Sequence, residues 1–294
     1  MDQYADKLRS LQPEHHYLIG IDSDGCAFDT MEIKHKECFI PQIINSWDLQ
    51  AVSKYARETA EFVNLYSRSR GVNRFPGLLK VLDLLAERAE VQHRKVSLPD
   101  MEPLRRWIQE ETRLGNPALH ERVQQNGDPI LARALAWSKA VNEAISTIVR
   151  HVPPFPFVRE SLQKAAVNAD VLVVSATPVE ALAREWEEHG LSQYVKVIGG
   201  QEMGTKTEIL RLARSHGYLE KHVLMVGDAL GDLQAAQDNG VLFYPINPGD
   251  EERSWQRFHD EVLDKFFGGA YAGDYEAQVI AEFSDRLPGK PPWK

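Results

Sequence analysis

Apolar positions change rhythm twice along the chain. A first run, Tyr17-Leu18-Ile19-Gly20-Ile21, has strand length and stops at Asp22-Ser23-Asp24-Gly25, a sequence that turns. From about Thr30 to about His151 the apolar residues recur at helical spacing, as in Leu78, Val81, Leu82 and Leu85, or in Leu131, Leu135, Val141, Ile145 and Ile148. That spacing predicts a helical insert. Val152-Pro153-Pro154-Phe155-Pro156-Phe157 then puts three prolines into four positions, which excludes helix and predicts an extended hinge.

Beyond the hinge, short apolar runs alternate with amphipathic stretches. Strands are predicted at Val171 to Val174, Tyr194 to Ile198, His222 to Val226 and Val241 to Tyr244. Helices are predicted between them at Val179 to His189, Thr205 to His216 and Leu230 to Asp238. Such alternation means a parallel sheet wrapped by helices. The predicted fold is therefore α/β, a Rossmann-like parallel sheet core built from residues 1–29 and 152–294, with an all-helical domain inserted at 30–151. A helical extension is expected from about residue 250, closing on a frayed tail from Pro288 to Lys294.

Composition narrows the possible partners. The chain has 294 residues, enough for one large domain or two ordinary ones, and 43% of them are apolar, which suits a packed core. Lys and Arg number 34 against 43 Asp and Glu, a net charge of −9, which argues against nucleic acid. No apolar run approaches the ~20 residues of a membrane helix, so no membrane contact is expected. Met1-Asp2-Gln3-Tyr4-Ala5-Asp6 lacks a signal-peptide pattern, and the expected address is cytoplasmic. Cys26 and Cys38 make no disulfide framework, and His15-His16 or His35 with Cys38 lack the further ligands of a zinc site.

In an open parallel sheet ligands bind beyond the carboxyl ends of the strands. The residues there are Asp22 and Asp24, Ser175, Lys206 at the start of a helix, and Gly227-Asp228 with Asp232 four residues on. Each has a plain structural alternative: Asp-Gly is a turn signal, Ser175 can end a strand, Lys206 can be a solvated surface lysine, and Asp228 or Asp232 can cap a helix. Their conjunction on one sheet edge suits phosphoryl transfer. Carboxylates that close repel unless a hard divalent cation such as Mg²⁺ sits among them, and Asp22, Asp228 and Asp232 can supply its oxygen ligands. A carboxylate held there and shielded by Lys206 can attack phosphorus, while Asp24 is placed to act as acid and base. Ser175 and the neighbouring backbone N–H of Ala176 can hold phosphoryl oxygens.

Those residues resemble, in order, the four motifs of the haloacid dehalogenase superfamily: Asp22-Ser23-Asp24-Gly25, Ser175, Lys206, and Gly227-Asp228 with Asp232. The resemblance covers roughly residues 15–30 and 150–248, and it places the helical insert where family members carry a cap of the first type. It implies Asp22 as nucleophile, Asp24 as general acid and base, Ser175 as phosphate ligand, Lys206 as the neutralising lysine, and Asp228 and Asp232 as metal ligands. The main-chain carbonyl of Asp24 would join them on the metal. Phosphatases and phosphomutases of the family carry an acid two residues after the nucleophile, so Asp24 implies phosphoester chemistry. Two departures, Asp24-Gly25-Cys26-Ala27 in place of the usual Asp-Gly-Thr-Leu and an insert of about 120 residues, put a named subfamily and substrate in doubt.

A helical cap on a proline-rich hinge would limit substrates to small phosphorylated metabolites. In the insert, Arg68, Arg70 and Arg74 crowd a loop-like stretch, and Arg74 and Arg70 are candidate ligands for an anionic substrate group. An internal ion pair or a solvated loop is the alternative. The aromatic cluster Trp255, Phe258, Phe266 and Phe267 is read as packing, with a homodimer interface as its alternative. The expected function is a Mg²⁺-dependent phosphomonoester hydrolase. A phosphomutase, or a non-catalytic protein that binds a phosphorylated ligand, stands as the competing reading.

Overall fold

Five short apolar segments build one parallel sheet: β1 (Tyr17–Ile21), β2 (Ala169–Val174), β3 (Val197–Gly199), β4 (Val223–Gly227) and β5 (Leu242–Pro245). The computed structural model describes residues 2–294. Strand order is β3-β2-β1-β4-β5, with every neighbouring pair parallel. Alternate residues of each strand feed opposite faces. Ile19, Ile21, Val171, Val173, Leu224 and Val226 join one apolar cluster, and Leu18, Leu172, Val174, Val223 and Met225 join another. Both faces are covered, which is why these strands read as unbroken apolar runs rather than alternating ones. The edges shift from the expected positions. Ser192–Tyr194 forms a 3₁₀ turn, so β3 begins only at Val197, and β5 runs one residue past Tyr244.

Chain order and spatial order diverge at β1. The chain steps outward from β1 through β2 to β3, then returns to lay β4 and β5 on the other flank. The carboxyl ends of β1 and β4 therefore sit side by side at the topological switch point, where open α/β sheets form their ligand crevice. At the opposite edge of the sheet Asp170 pins the strand start. Its carboxylate accepts the N–H groups of Glu14 at 2.9 Å and His15 at 3.2 Å and the Tyr218 hydroxyl at 2.5 Å, and pairs with Lys196 at 2.8 Å. Burial pushes this carboxyl up, but Lys196, Tyr218 and the two backbone donors outweigh it and hold it below the ordinary value.

The chain divides into two compact units, one of residues 1–30 and 151–287, the other of 31–150 and 288–294. In the first, Trp255, Phe258 and Phe266 are buried in the same cluster as Ile19 and Val171, and Phe267 packs against it. This aromatic cluster is interior packing. The proline stretch is tied down, since Phe155 N–H donates to Ala27 O at 3.0 Å and Pro154 bridges Phe28. In the second unit, the helices Ser53–Asn64, Arg74–Ala86, Glu102–Glu110, Asn116–Asn126 and Pro129–Ile148 enclose a core of their own that includes Leu78, Leu82, Leu131 and Trp137.

Two expectations fail here. The segment Pro288–Lys294 is not a frayed end of the sheet unit but part of the helical one. Trp293 meets Phe62 edge-on at 5.6 Å and lies 4.4 Å from the guanidinium of Arg88, which also faces Tyr55 at 4.8 Å. Aromatic faces attract a guanidinium, and this sandwich gives the segment its hold. Arg74 and Pro76 likewise leave the predicted loop and open the Arg74–Ala86 helix, capped by Asn73, whose side chain accepts the Phe75 N–H. Asn is a strong N-cap and Pro suits a first helical turn, so the helix begins earlier than apolar periodicity suggests. No helix among the described residues is long and apolar enough to cross a membrane.

Candidate active site

β1 ends and the chain turns at once. Ile21 pairs with Val226 of β4, and Asp22 N–H then donates to Val226 O at 3.0 Å, so the Asp22 carboxylate leaves the sheet beside the end of β4. Ser23 O accepts the N–H groups of Ala27 at 2.9 Å and Phe28 at 3.0 Å, which closes the loop, and Gly25 takes φ 74° inside it. A left-handed φ at that point is cheap only for glycine. Trp255 Nε1 donates to Cys26 O at 2.7 Å and locks the far side.

Lys206 arrives from the next layer. Thr205 caps its helix, accepting the Glu208 N–H while Glu208 Oε2 accepts the Thr205 N–H, a reciprocal capping box that leaves Lys206 as the first helical residue. Its ammonium donates to Asp22 Oδ2 at 2.7 Å and to Asp232 Oδ1 at 2.6 Å. Burial alone would lower the Lys206 pKa, but Asp22 and Asp232 overcome it and raise it. Asp232 is fully buried at the start of the Leu230–Asp238 helix, where its Oδ2 accepts the Ala229 N–H at 3.1 Å. Burial lifts its carboxyl to about 6, with Lys206 opposing and Asp22 reinforcing the shift. Gly227 makes that placement possible, because a Cβ there would lie 2.3 Å from Asp232 Cγ.

Asp22, Asp228 and Asp232 are all buried, and each offers an oxygen within 4.8 Å of the others. Asp22 and Asp232 share the Lys206 ammonium, and the three carboxylates together present oxygen donors only. Such a donor set fits a hard divalent cation such as Mg²⁺. Asp24 stands apart from that group. Its Oδ1 accepts the Thr30 hydroxyl at 2.5 Å and its Oδ2 the Thr177 hydroxyl at 2.7 Å. Ser175 is buried where β2 ends, its N–H donating to Gly199 O at 3.0 Å, and Ala176 is exposed beside it. Cys26, at the first departure from the family pattern, is fully buried. Burial raises its thiol pKa, and the carboxylates of Asp228, Asp22 and Asp232 push it further.

The structure thus gathers Asp22, Lys206, Asp228 and Asp232 into one cluster. Asp24 and Ser175 lie on the loops that border it, joined through Thr177. The two arginines belong to the helical unit. Arg74 Nη1 donates to Ser138 O, Ser138 Oγ and Asn142 Oδ1 at 3.2, 2.9 and 2.7 Å, and its guanidinium covers the Phe39 ring at 5.2 Å. Burial lowers its pKa to about 10. Arg70 is only 4% exposed and donates to Leu65 O at 3.0 Å. Arg70 therefore braces its own loop through that bond. Ser23 stands in the first motif without a role of its own, and Thr30, Thr177, Glu185 and Trp186 stand outside the motifs. Thr177, two residues after Ser175 at a strand end, was within reach of the same argument. The others carry no local signal.

Comparison with known proteins gives a family. A family model described as haloacid dehalogenase-like hydrolase matches residues 92–245, just over half of the chain. The match takes in Ser175, Lys206, Asp228 and Asp232 and begins after Asp22 and Asp24. A 5'-nucleotidase of Pseudomonas aeruginosa is 33% identical over 115 residues, which are 36% of this chain and 52% of that protein. The chain thus spans about half the length of that relative. Among solved structures, a haloacid dehalogenase-like hydrolase from Bacteroides fragilis is 13% identical with a TM-score of 0.50, covering 81% of this chain and 92% of its own. Another, from Xanthomonas campestris, is 14% identical with a TM-score of 0.45, covering 92% and 97%. Likeness at such identities concerns the fold alone.

Proposed function

Since the chain belongs to the haloacid dehalogenase-like hydrolase family, we propose that it is a Mg²⁺-dependent phosphomonoesterase that works through an aspartyl-phosphate at Asp22. One observation carries this reading: Asp22 is ion-paired with Lys206 while Asp24, two residues on, is held by the hydroxyls of Thr30 and Thr177. A nucleophile beside a cation and a separately anchored second carboxylate are what two-step phosphoryl transfer requires.

In the first step a carboxylate oxygen of Asp22 bonds to phosphorus and the bond from phosphorus to the ester oxygen breaks. Asp24, protonated, gives its proton to that leaving oxygen. In the second step Asp24, now ionised, takes a proton from water as the water oxygen bonds to phosphorus, and the bond to Asp22 breaks to release phosphate, leaving Asp22 a carboxylate and Asp24 protonated as at the start. Lys206 offsets the negative charge of Asp22 as the anionic phosphoryl group approaches. The Ser175 hydroxyl and the Ala176 N–H are the donors assigned to the phosphoryl oxygens. Mg²⁺, held by Asp22, Asp228 and Asp232 with the Asp24 carbonyl, would supply further positive charge beside those oxygens.

In this reading the inserted helical unit is a cap, and the substrate is a small phosphorylated metabolite. Arg74, whose hydrogen bonds go to neutral oxygens only, is the candidate in that unit for an anionic substrate group. The Pseudomonas aeruginosa relative brings nucleoside monophosphates into the set to be tried. The test is phosphate release from a panel of phosphorylated metabolites, nucleoside monophosphates and p-nitrophenyl phosphate, with Mg²⁺ or a chelator, wild type beside Asp22→Asn. Release that needs both Mg²⁺ and Asp22 is expected. Release that survives in folded Asp22→Asn overturns the mechanism.

A further inference from the structure

We propose that Ser23, between the two carboxylates of the catalytic loop, is a positioning residue whose clamp by Glu185 and Trp186 sets where Asp24 stands for proton transfer. The inference rests on the phosphatase reading and deepens it. Ser23 is fully buried. Its hydroxyl donates to Glu185 Oε2 at 3.2 Å and accepts the indole N–H of Trp186 at 3.0 Å. Its carbonyl takes the Ala27 and Phe28 N–H groups that close the loop. Side chain and main chain of this one residue are therefore both held.

The partners come from the helix Val179–Glu188, which begins just after the loop carrying Ser175 and Thr177. That segment grips the catalytic loop at three places. Thr177 donates to Asp24 Oδ2 at 2.7 Å, the Glu185 and Trp186 pair holds Ser23, and the Trp186 ring meets Phe28 edge-on at 5.7 Å. Asp24 is thus fixed to the body that carries the phosphate-binding serine. An apolar side chain at position 23 would fill the same space, but it would supply no direction. A buried hydroxyl with one donor and one acceptor partner holds both distance and angle, which steric packing does more loosely. Proton transfer requires Asp24 within hydrogen-bond reach of the leaving oxygen, so a small displacement costs rate.

A displaced acid has a signature that general loosening lacks. Phenol, with a pKa close to tyrosine's of about 10, leaves from phosphorus far more readily when protonated. p-Nitrophenolate is a much weaker base and needs little help. The ratio of kcat/KM for phenyl phosphate to that for p-nitrophenyl phosphate therefore reports on Asp24, and it is read in wild type, Ser23→Ala, Glu185→Ala and Glu185→Gln. Given that a general acid contributes about 10²- to 10⁴-fold, partial displacement in Ser23→Ala should lower the ratio about tenfold, through kcat rather than KM. Glu185→Ala should shift it the same way, and Glu185→Gln, which keeps an acceptor oxygen, should recover most of the loss. Ser23→Ala leaves the Trp186 N–H buried without a partner, so if that variant does not fold the half-buried Glu185 pair decides. An equal loss on both esters, or a ratio unchanged in every folded variant, overturns the proposal. Wild-type inactivity on both esters instead overturns the phosphatase reading, and this inference with it.

Discussion

Lys206→Met removes the cation bonded to Asp22 and Asp232 while keeping a side chain of similar length. Its ammonium meets Asp22 at 2.7 Å and Asp232 at 2.6 Å. At an effective dielectric of about 20, each contact is worth about 6 kcal/mol by Coulomb's law. Much of that is offset by the several kcal/mol needed to strip water from each ion, and breaking a buried pair costs about 3–5 kcal/mol on balance. The helix start survives, because the Thr205 and Glu208 capping box does not involve the Lys206 side chain. Two readings should change together. Turnover should fall about 10²- to 10³-fold, the scale seen when one preorganised electrostatic donor is lost at a transition state. The pH profile should also move. Asp232 already sits at about 6 because of burial, and Lys206 opposes that rise. Without the lysine its carboxyl climbs further, protons compete longer with Mg²⁺ for it, and the acidic limb of the rate profile shifts to higher pH. The assay is kcat and kcat/KM from pH 5 to pH 9 at several Mg²⁺ concentrations, with a thermal melt to confirm folding. A folded variant within about threefold of wild type, with the acidic limb in place, would refute the assigned role of Lys206.

Other outcomes follow from the same geometry. Asp24→Ala should still take a phosphoryl group from p-nitrophenyl phosphate onto Asp22 but should hydrolyse it slowly, so a burst of nitrophenol without steady phosphate release is expected. The absence of any burst would count against separate roles for Asp22 and Asp24. Gly227→Ala should abolish divalent-cation binding measured by calorimetry, since its Cβ would lie 2.3 Å from Asp232 Cγ and push that carboxylate aside. Asp170→Ala takes the acceptor from the Tyr218 hydroxyl and from the Glu14 and His15 N–H groups, while Lys196 keeps its pairing with Glu14 at 3.0 Å, and should lose about 1–3 kcal/mol of stability in a urea titration. Because the folded-state pKa of Asp170 lies below its unfolded value, its contribution is present above about pH 4 and lost as pH falls through the lowered value. The variant and wild type should therefore converge in acid, and a constant gap down to pH 2 would contradict the cause assigned to that shift.

The identity of the strands was legible because parallel strands covered on both faces show as short apolar runs, and all five runs in this chain did so. Their ends were less legible. β3 has three residues, and the 3₁₀ turn Ser192–Tyr194 before it ends in an aromatic residue followed by Val195, both of which have strand character. Candidate chemistry was legible for a topological reason: residues just after a parallel strand share one sheet edge, so Asp22, Ser175 and Asp228 could be grouped without coordinates.

The sequence alone determined the alternation of elements, the placement of acids, hydroxyl and lysine at strand ends, and the oxygen-donor character of that edge. Tertiary structure decided what only contacts distant in the chain can decide. Strand order set β1 beside β4 and so brought Asp22 within reach of Asp232, more than two hundred residues away. Folding put Thr30 and Thr177 on Asp24, and Glu185 and Trp186 on Ser23, through hydrogen bonds with no local signature. It also buried Arg70 and set Trp293 against Arg88. Periodicity records which face of an element is dry, because burial of apolar surface is non-directional and repeats with the backbone. Hydrogen bonds and ion pairs are directional and join single atoms, so their partners emerge only when the elements are packed.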